Sequence, residues 1–363
     1  MLLHILDNVI QSAPPYHIAT DSDGNPFPDF IGAPLYLVID LLSNTSAAYD
    51  LFRFRKFNTA LKDLLDAWGN YLQDPERDSN AVLNMGEEGW FGQLAIAKFE
   101  RKLCGKTFDE TYYSPDPNAE NRGYLSWDNF FTRQLRPGAR PIDFPENKTF
   151  IHNACESTVY RIAYNVNAHD QFWLKAQKYS LYDMLNRDSE KAEYFKGGTI
   201  YQTYLGVLDY HRWHSPIDGV IEKVAMIPGT YFASLPDEGA PLDDPDLPAG
   251  SPYDVMTRSQ AYLTMVATRA LIYIRADNPA IGLLCFMAVG MGEVSTCDVT
   301  VTEGQTVKIG DEIGMFHYGG SMHTLIFEPN CNVVFTAEAS VDKHVWVNSI
   351  IGRVDPKDSV EVN

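Results

Sequence analysis

Two histidines, one carboxylate and one hydroxyl stand out in this 363-residue chain as groups that could move protons and attack a carbonyl. The segment DYHRWHSPIDG (209–219) places His211 and His214 three residues apart, ahead of a Ser-Pro step and an Asp-Gly turn. Residues three apart on extended backbone point to opposite faces, so the two imidazoles suit different jobs. IHNACESTVY (151–160) holds a single carboxylate, Glu156, inside an apolar-flanked run. HYGGSMHTLIF (317–327) sets Gly319 and Gly320 directly before Ser321 and a further apolar run. On paper Ser321 is a nucleophile, His214 its base and Glu156 the acid that orients the base, the division of labour of a serine–histidine–acid triad. Each residue also has an ordinary reading. The histidines could be satisfied by hydrogen bonds at a strand end, and Glu156 could face solvent on an alternating strand. A metal site is a weaker reading of the histidines, because no further cysteine, histidine or carboxylate cluster stands at ligand spacing.

Ser321 does not fit the nucleophile elbow of α/β-hydrolases, since GGSMH is not G-x-S-x-G and a strand-like run follows it. The glycines suggest another target. Glycine inside a strand marks a bulge, a bend or a close backbone approach. Attack by Ser321 on the carbonyl just before it, that of Gly320, would have its nucleophile already in place at very high effective concentration. The backbone is then bent so that it can be cut.

These groups need a frame. FRFRKFNTALKDLLDAWGNYL (52–72) repeats apolar residues at three- and four-residue steps, which predicts an amphipathic helix ending before Pro75. PLYLVIDLLSN (34–44) and GWFGQLAIAKFERKL (89–103) predict two more. The polar loop DETYYSPDPNAENRGY (109–124) is the best boundary, dividing a helical region, 1–124, from a second domain, 125–363. That domain opens on a short helix, SWDNFFTRQL, with Ser126 as N-cap. From about residue 149 short β-type runs follow one another, separated by Gly, Pro, Asp and Asn and interrupted by one helix, SLYDMLNR (180–187). The expected fold is α+β, a helical N-terminal region packed on an antiparallel sandwich- or barrel-like β domain. The acidic, Pro- and Gly-rich insert 234–254 reads as a solvated loop or a lid.

Composition narrows the function. Hydrophobic residues make up 45% of the chain and the formal net charge is −19, which argues against nucleic acid and anionic lipid surfaces as partners. Five scattered cysteines without CxxC spacing read as reduced thiols. The N-terminus lacks the basic region of a signal peptide and no apolar run is long enough to span a bilayer, so the expectation is a soluble, cytoplasmic protein.

WDNFFTRQLRPGARPID (127–143), LKAQKYSLYDML (174–185), GTIYQTYLGVLDYHRWHSPIDG (198–219) and GGSMHTLIFEP (319–329) resemble, in order and spacing, blocks of the phosphatidylserine decarboxylase family. The resemblance covers roughly residues 126–340 and implies a proenzyme that cuts itself before Ser321. That residue would become an N-terminal pyruvoyl group, the catalytic cofactor. It implies that His214 is the base of maturation, with the acid falling at Glu156, and that His211 serves decarboxylation as the general acid. The hydroxyl's attack on Gly320 gives an ester, β-elimination expels the Gly320 carboxylate, and the remaining dehydroalanine hydrolyses to a ketone that condenses with the substrate amine. The two resulting chains would stay together non-covalently. The phospholipid enzymes carry P-x-D-G-like and Leu-Gly-Ser-Thr motifs where this chain reads ACES and Gly-Gly-Ser-Met. The NACES block and the extra helices are more similar to a soluble fungal L-tryptophan decarboxylase branch. The expected substrate is therefore a free aromatic amino acid, tryptophan first, with no stable membrane association. Phosphatidylserine is the same-class alternative. A non-catalytic binding module is the other, because VTEGQTVKIGDEIGMF resembles the turn-and-strand pattern of lipoyl carriers, although no central lysine accompanies it.

Overall fold

The computed structural model describes residues 2–16, 19–20, 26–27, 34–43, 45–169, 179–235, 259–291, 296–318 and 320–354. The insert 234–254 lies almost wholly outside the described residues, as does the first part of the 174–185 block.

The fold is α+β. Its centre is an eight-stranded antiparallel sheet, ordered Thr306–Val307, Gly219–Ile227, Arg269–Ala276, Leu283–Met291, Gly320–Phe327, Thr199–Leu205, Ser157–Tyr164, His344–Val345. Alternation explains how its two faces are covered. Ile272, Phe286, Leu325 and Tyr201 point to one face and pack with Trp213, Ile313, Phe316 and Ile351 of two three-stranded sheets. Leu271, Val289, Met322 and Ile200 point to the other, which the helices Leu181–Met184, Ser189–Phe195 and Gln260–Val266 cover. Burial on both faces is why Leu283–Met291 reads as an unbroken apolar run.

The N-terminal helices form a third layer. The single helix expected over 52–72 is two, Ser46–Arg53 and Arg55–Gln73, separated by an extended Phe54. The break lets Phe52 pack against Phe57 and against Phe232 of the β domain, at ring-centroid distances of 5.5 and 5.0 Å. The helix expected over 89–103 begins later, at Gln93. Before it the chain turns so tightly that a side chain on Gly92 would collide with the Gly86 carbonyl. Ser126 caps the helix Trp127–Phe131 as expected, accepting from the Asn129 amide.

An aromatic cluster joins this layer to the strand that leads to Ser321. Trp90, Trp127, Phe130 and Phe131 pack with Tyr210 and Tyr318, and Tyr318 meets Trp127 edge-on at 4.3 Å. Such a pair contributes roughly 0.5–1.5 kcal/mol beyond its buried area. The chain three residues before Ser321 is thereby fixed to the helical layer.

Candidate active site

Ser321 is the second residue of strand Gly320–Phe327, in the middle of the sheet. It pairs with Leu205 on one side and Gly290 on the other, and the register runs without a shift to Phe327. The expected bend is therefore not at Gly320, which already occupies a rung opposite Met291; Gly319 lies outside the described residues. Ser321 is fully buried, and its Oγ has no hydrogen-bond partner among the described residues. A hydroxyl taken out of water without a partner costs free energy, and native proteins rarely tolerate that without a use for the group. Across the sheet Gly290 sets no side chain beside it.

His214 stands on strand Arg212–His214 of a neighbouring sheet, opposite Glu312. Its Nδ1 lies 2.6 Å from the Gly310 carbonyl, which can only accept, so Nδ1 carries the proton. Nε2 is then the acceptor, 3.0 Å from the Tyr210 hydroxyl. Burial lowers the imidazole's pKa, against the opposing pull of the Gly310 carbonyl. The ring is a neutral base with its lone pair on Nε2, currently filled by Tyr210.

Glu156 does not face solvent. It is buried, and its carboxylate forms a two-pronged ion pair with Arg140, Nε to Oε2 at 2.6 Å and Nη2 to Oε1 at 2.7 Å. Arg140 in turn lies over the Trp346 ring at 4.4 Å. No hydrogen bond joins Glu156 to His214, or His214 to Ser321, among the described residues. Tyr210 bonds His214 alone of the three; its pKa is raised by burial and by the charges of Glu312 and Glu156.

His211 is fully buried and stacks on Phe131, ring centroids 3.9 Å apart. Neither ring nitrogen has a partner among the described residues. Burial, helped by the Arg133 charge, pushes its pKa down to about 3. Its carbonyl accepts from the Phe316 amide at 2.9 Å, so along the strand pairing His211 lies nearer Gly320 and Ser321 than His214 does.

Three buried polar centres escaped the sequence reading. Asp209 accepts from Lys102 at 2.7 Å, from the Gly206 amide at 2.7 Å and from His344 Nε2 at 3.1 Å. Burial opposes its ionisation, but Lys102 and His344 hold it well below the usual carboxylate range. Gly206 follows Leu205, the rung partner of Ser321, so this carboxylate fixes the turn beside Ser321. His323 shares a strand face with Ser321; its Nδ1 meets the Thr203 hydroxyl at 2.6 Å and Nε2 has no partner among the described residues. His317 lies against Asp128, 2.9 and 3.1 Å from its two oxygens, and ties the segment before Ser321 to the helix Trp127–Phe131. Two signals were available, the place of Asp209 beside the Y-H-R-W-H block and that of His323 two residues after Ser321; the groups they bond are too distant in sequence. Among the described residues no group of three or more His, Cys, Asp or Glu could hold a metal ion. No described helix is long and apolar enough to cross a membrane.

Comparison with known proteins gives the same centre a context. A family profile described as phosphatidylserine decarboxylase matches residues 127–353, and a second of that description matches residues 1–99. A protein named decarboxylase iboD from Amanita muscaria (strain Koide BX008) is 52% identical over 350 residues, 96% of this chain and 99% of that protein. An L-tryptophan decarboxylase from Psilocybe cubensis is 38% identical over 310 residues, covering 83% of this chain and 69% of its own length. A phosphatidylserine decarboxylase proenzyme from Schizosaccharomyces pombe is 28% identical over 241 residues, 64% of this chain and 22% of that protein.

Proposed function

We propose, given that this chain is a carboxy-lyase belonging to the phosphatidylserine decarboxylase family, that it cuts itself between Gly320 and Ser321 and then decarboxylates a free aromatic amino acid. The observation that carries the reading is the Ser321 hydroxyl, buried directly after Gly320 and without a partner among the described residues. The catalytic unit is residues 125–363, with 1–124 as a covering layer, in keeping with separate profile matches to 127–353 and 1–99.

In maturation Ser321 Oγ attacks the Gly320 carbonyl. Its proton passes to Nε2 of His214, the tautomer a general base requires. Tyr210, which fills that lone pair, either yields it or relays the proton. Glu156 acts through its charge, which Arg140 fixes and which Tyr210 feels. The pyruvoyl group made from Ser321 supplies an electron sink for the loss of carbon dioxide. His211, uncharged in the precursor and without a partner among the described residues, is the group we assign to deliver a proton to the substrate carbon.

The substrate assignment rests on the name of the Psilocybe relative and on the net charge of −19, which disfavours docking on an anionic lipid surface. The test is amine release by purified, lipid-free protein offered L-tryptophan, L-phenylalanine, L-tyrosine, other free amino acids and phosphatidylserine vesicles. Tryptamine as the main product is expected. Phosphatidylethanolamine without any free amine would transfer the assignment to the phospholipid.

A further inference from the structure

Arg269 begins the strand Arg269–Ala276, is 3% exposed, and forms no ion pair with a carboxylate among the described residues. Its guanidinium is held instead by backbone carbonyls. Nε donates to Met184 at 2.8 Å, Nη1 to Ala267 at 2.8 Å and Nη2 to Asp183 at 2.7 Å. Of the five N–H donors that leaves one on each terminal nitrogen unused. A buried charge without a counter-charge is expensive, and proteins normally pair it.

The guanidinium feels the Asp183 charge without an ion pair among the described residues, and it borders a cavity of about 420 Å³, within the usual range of small-molecule sites. Arg53, Arg187 and Arg269 line it together with Asp183, Tyr49 and Tyr262. Three guanidinium groups thus face one carboxylate, on a chain whose net charge is −19. That carboxylate is already engaged by the Ser180 hydroxyl at 2.8 Å. Arg53 lies over the Tyr49 ring at 5.0 Å, and neither it nor Arg187 pairs with an acid among the described residues. Arg187 follows Asn186 in a consecutive left-handed pair, φ 62° and 59°, a conformation that non-glycine residues keep only where something repays its strain.

The cavity is separate from the reaction centre. Arg269 points to the helix-covered face with Leu271 and Tyr273, whereas Ser321 shares the opposite face with Leu325 and Phe327. The two are linked through the sheet, since Arg269 pairs with Val289 and Val289 with Met322, the residue after Ser321.

We propose that this cavity binds a small organic oxyanion, a carboxylate or phosphate whose charge completes Arg269 and is clasped by Arg53 and Arg187. The pocket is too large for one bare oxyanion, and its tyrosines and Met265 provide the surface for the ligand's carbon skeleton.

The test is thermal unfolding and calorimetric titration of the purified full chain with inorganic phosphate and with citrate, against sodium chloride at matched ionic strength. The Arg53→Gln/Arg187→Asn variant serves as the comparison, because both residues are exposed and asparagine tolerates the left-handed backbone. A saturable stabilisation by one or both anions is expected, weakened by about tenfold or more for each arginine removed. A response to phosphate alone would name a phosphate ligand, and to citrate alone a carboxylate. Ser321→Ala protein should bind equally well. No saturable effect beyond sodium chloride, or an unchanged response in the double variant, overturns the site; loss of binding in Ser321→Ala overturns its separateness.

Discussion

The Arg140–Glu156 pair allows a structural role for Glu156 to be separated from a role in maturation. Both side chains are at most 2% exposed, and each satisfies the other through two hydrogen bonds. Replacing Arg140 with Met would leave a buried carboxylate uncompensated, at a cost of about 3–5 kcal/mol. That is a large share of the roughly 5–15 kcal/mol that holds a typical domain folded. Converting both partners, Arg140→Met with Glu156→Leu, removes both charges, and such exchanges are often neutral or stabilising. Met also keeps a long side chain over Trp346. Urea unfolding should therefore show the single variant strongly destabilised and the double variant close to wild type. Cleavage on a denaturing gel then isolates the chemistry. If Glu156 assists His214, the double variant folds yet remains one chain, and Glu156→Asp matures faster than Glu156→Ala. Wild-type cleavage by the double variant would refute that assistance, leaving Glu156 as nothing more than the counter-ion of Arg140. A cost below about 1 kcal/mol for Arg140→Met would refute the burial argument itself.

Ser321→Ala should abolish cleavage while leaving stability within about 1 kcal/mol of wild type, because the hydroxyl it removes has no partner among the described residues; gel analysis and urea unfolding of the same sample check both halves. His214→Ala should block maturation, whereas His211→Ala should mature and decarboxylate poorly, as followed by fragment formation and amine release; normal maturation of both would undo the assignment of His214. Acid should unfold the precursor. His211 and His323 are pushed down to about 3 by burial, so their contribution is complete above the unfolded value near 6.5 and is lost as pH falls below it. Each costs about 1.4 kcal/mol per pH unit, together about 4 kcal/mol between pH 6.5 and 5. His317 and His344 are raised by Asp128 and Asp209 against the effect of burial, so their contribution is complete below about 6.5 and changes only above that window. Urea unfolding at pH 7, 6 and 5 should show this fall, to which His152 and His214, also lowered by burial, add, and His323→Leu should make it shallower.

What could be read from the sequence was what local rules control. The Ser126 cap, the helix over 34–44 and the main strands follow from side-chain period and turn residues, and all appear in the fold. Phe54 escaped because tertiary packing of Phe52 and Phe57 overrides a periodic pattern that runs straight through it. Thr306–Val307 and His344–Val345 are two-residue strands, too short to show any period. The helix Ser189–Phe195 was legible and missed: Asp188 precedes it and caps the Lys191 amide. At the site, spacing singled out Ser321, His211, His214 and Glu156, but not their partners. Arg140 lies 16 residues from Glu156, and His344 lies 135 from Asp209. Only the folded sheet brings such pairs together.

The position of Ser321 also determines what a cut there would do to the molecule. A nick in a surface loop releases strain and little else, but this bond lies at the start of a central strand. From Ser321 to Phe327 every residue pairs with Thr199–Leu205 on one side and with Leu284–Gly290 on the other. Cleavage removes none of those rungs, and Leu325, Phe327, Met322 and Ile326 remain buried in cores on both faces. On the other side of the cut, Tyr318 stays packed on Trp127 and His317 on Asp128. The two new chain ends are thus anchored independently, one by the sheet and the other by the helical layer. Freed from one another, they can separate locally without unfolding the whole. A buried hydroxyl in an intact strand has no room for a substrate beside it. The same residue at a chain terminus, with Gly320 able to move away, does. In this arrangement self-cleavage would serve two purposes with one step, making the reactive group and opening the site in which it works.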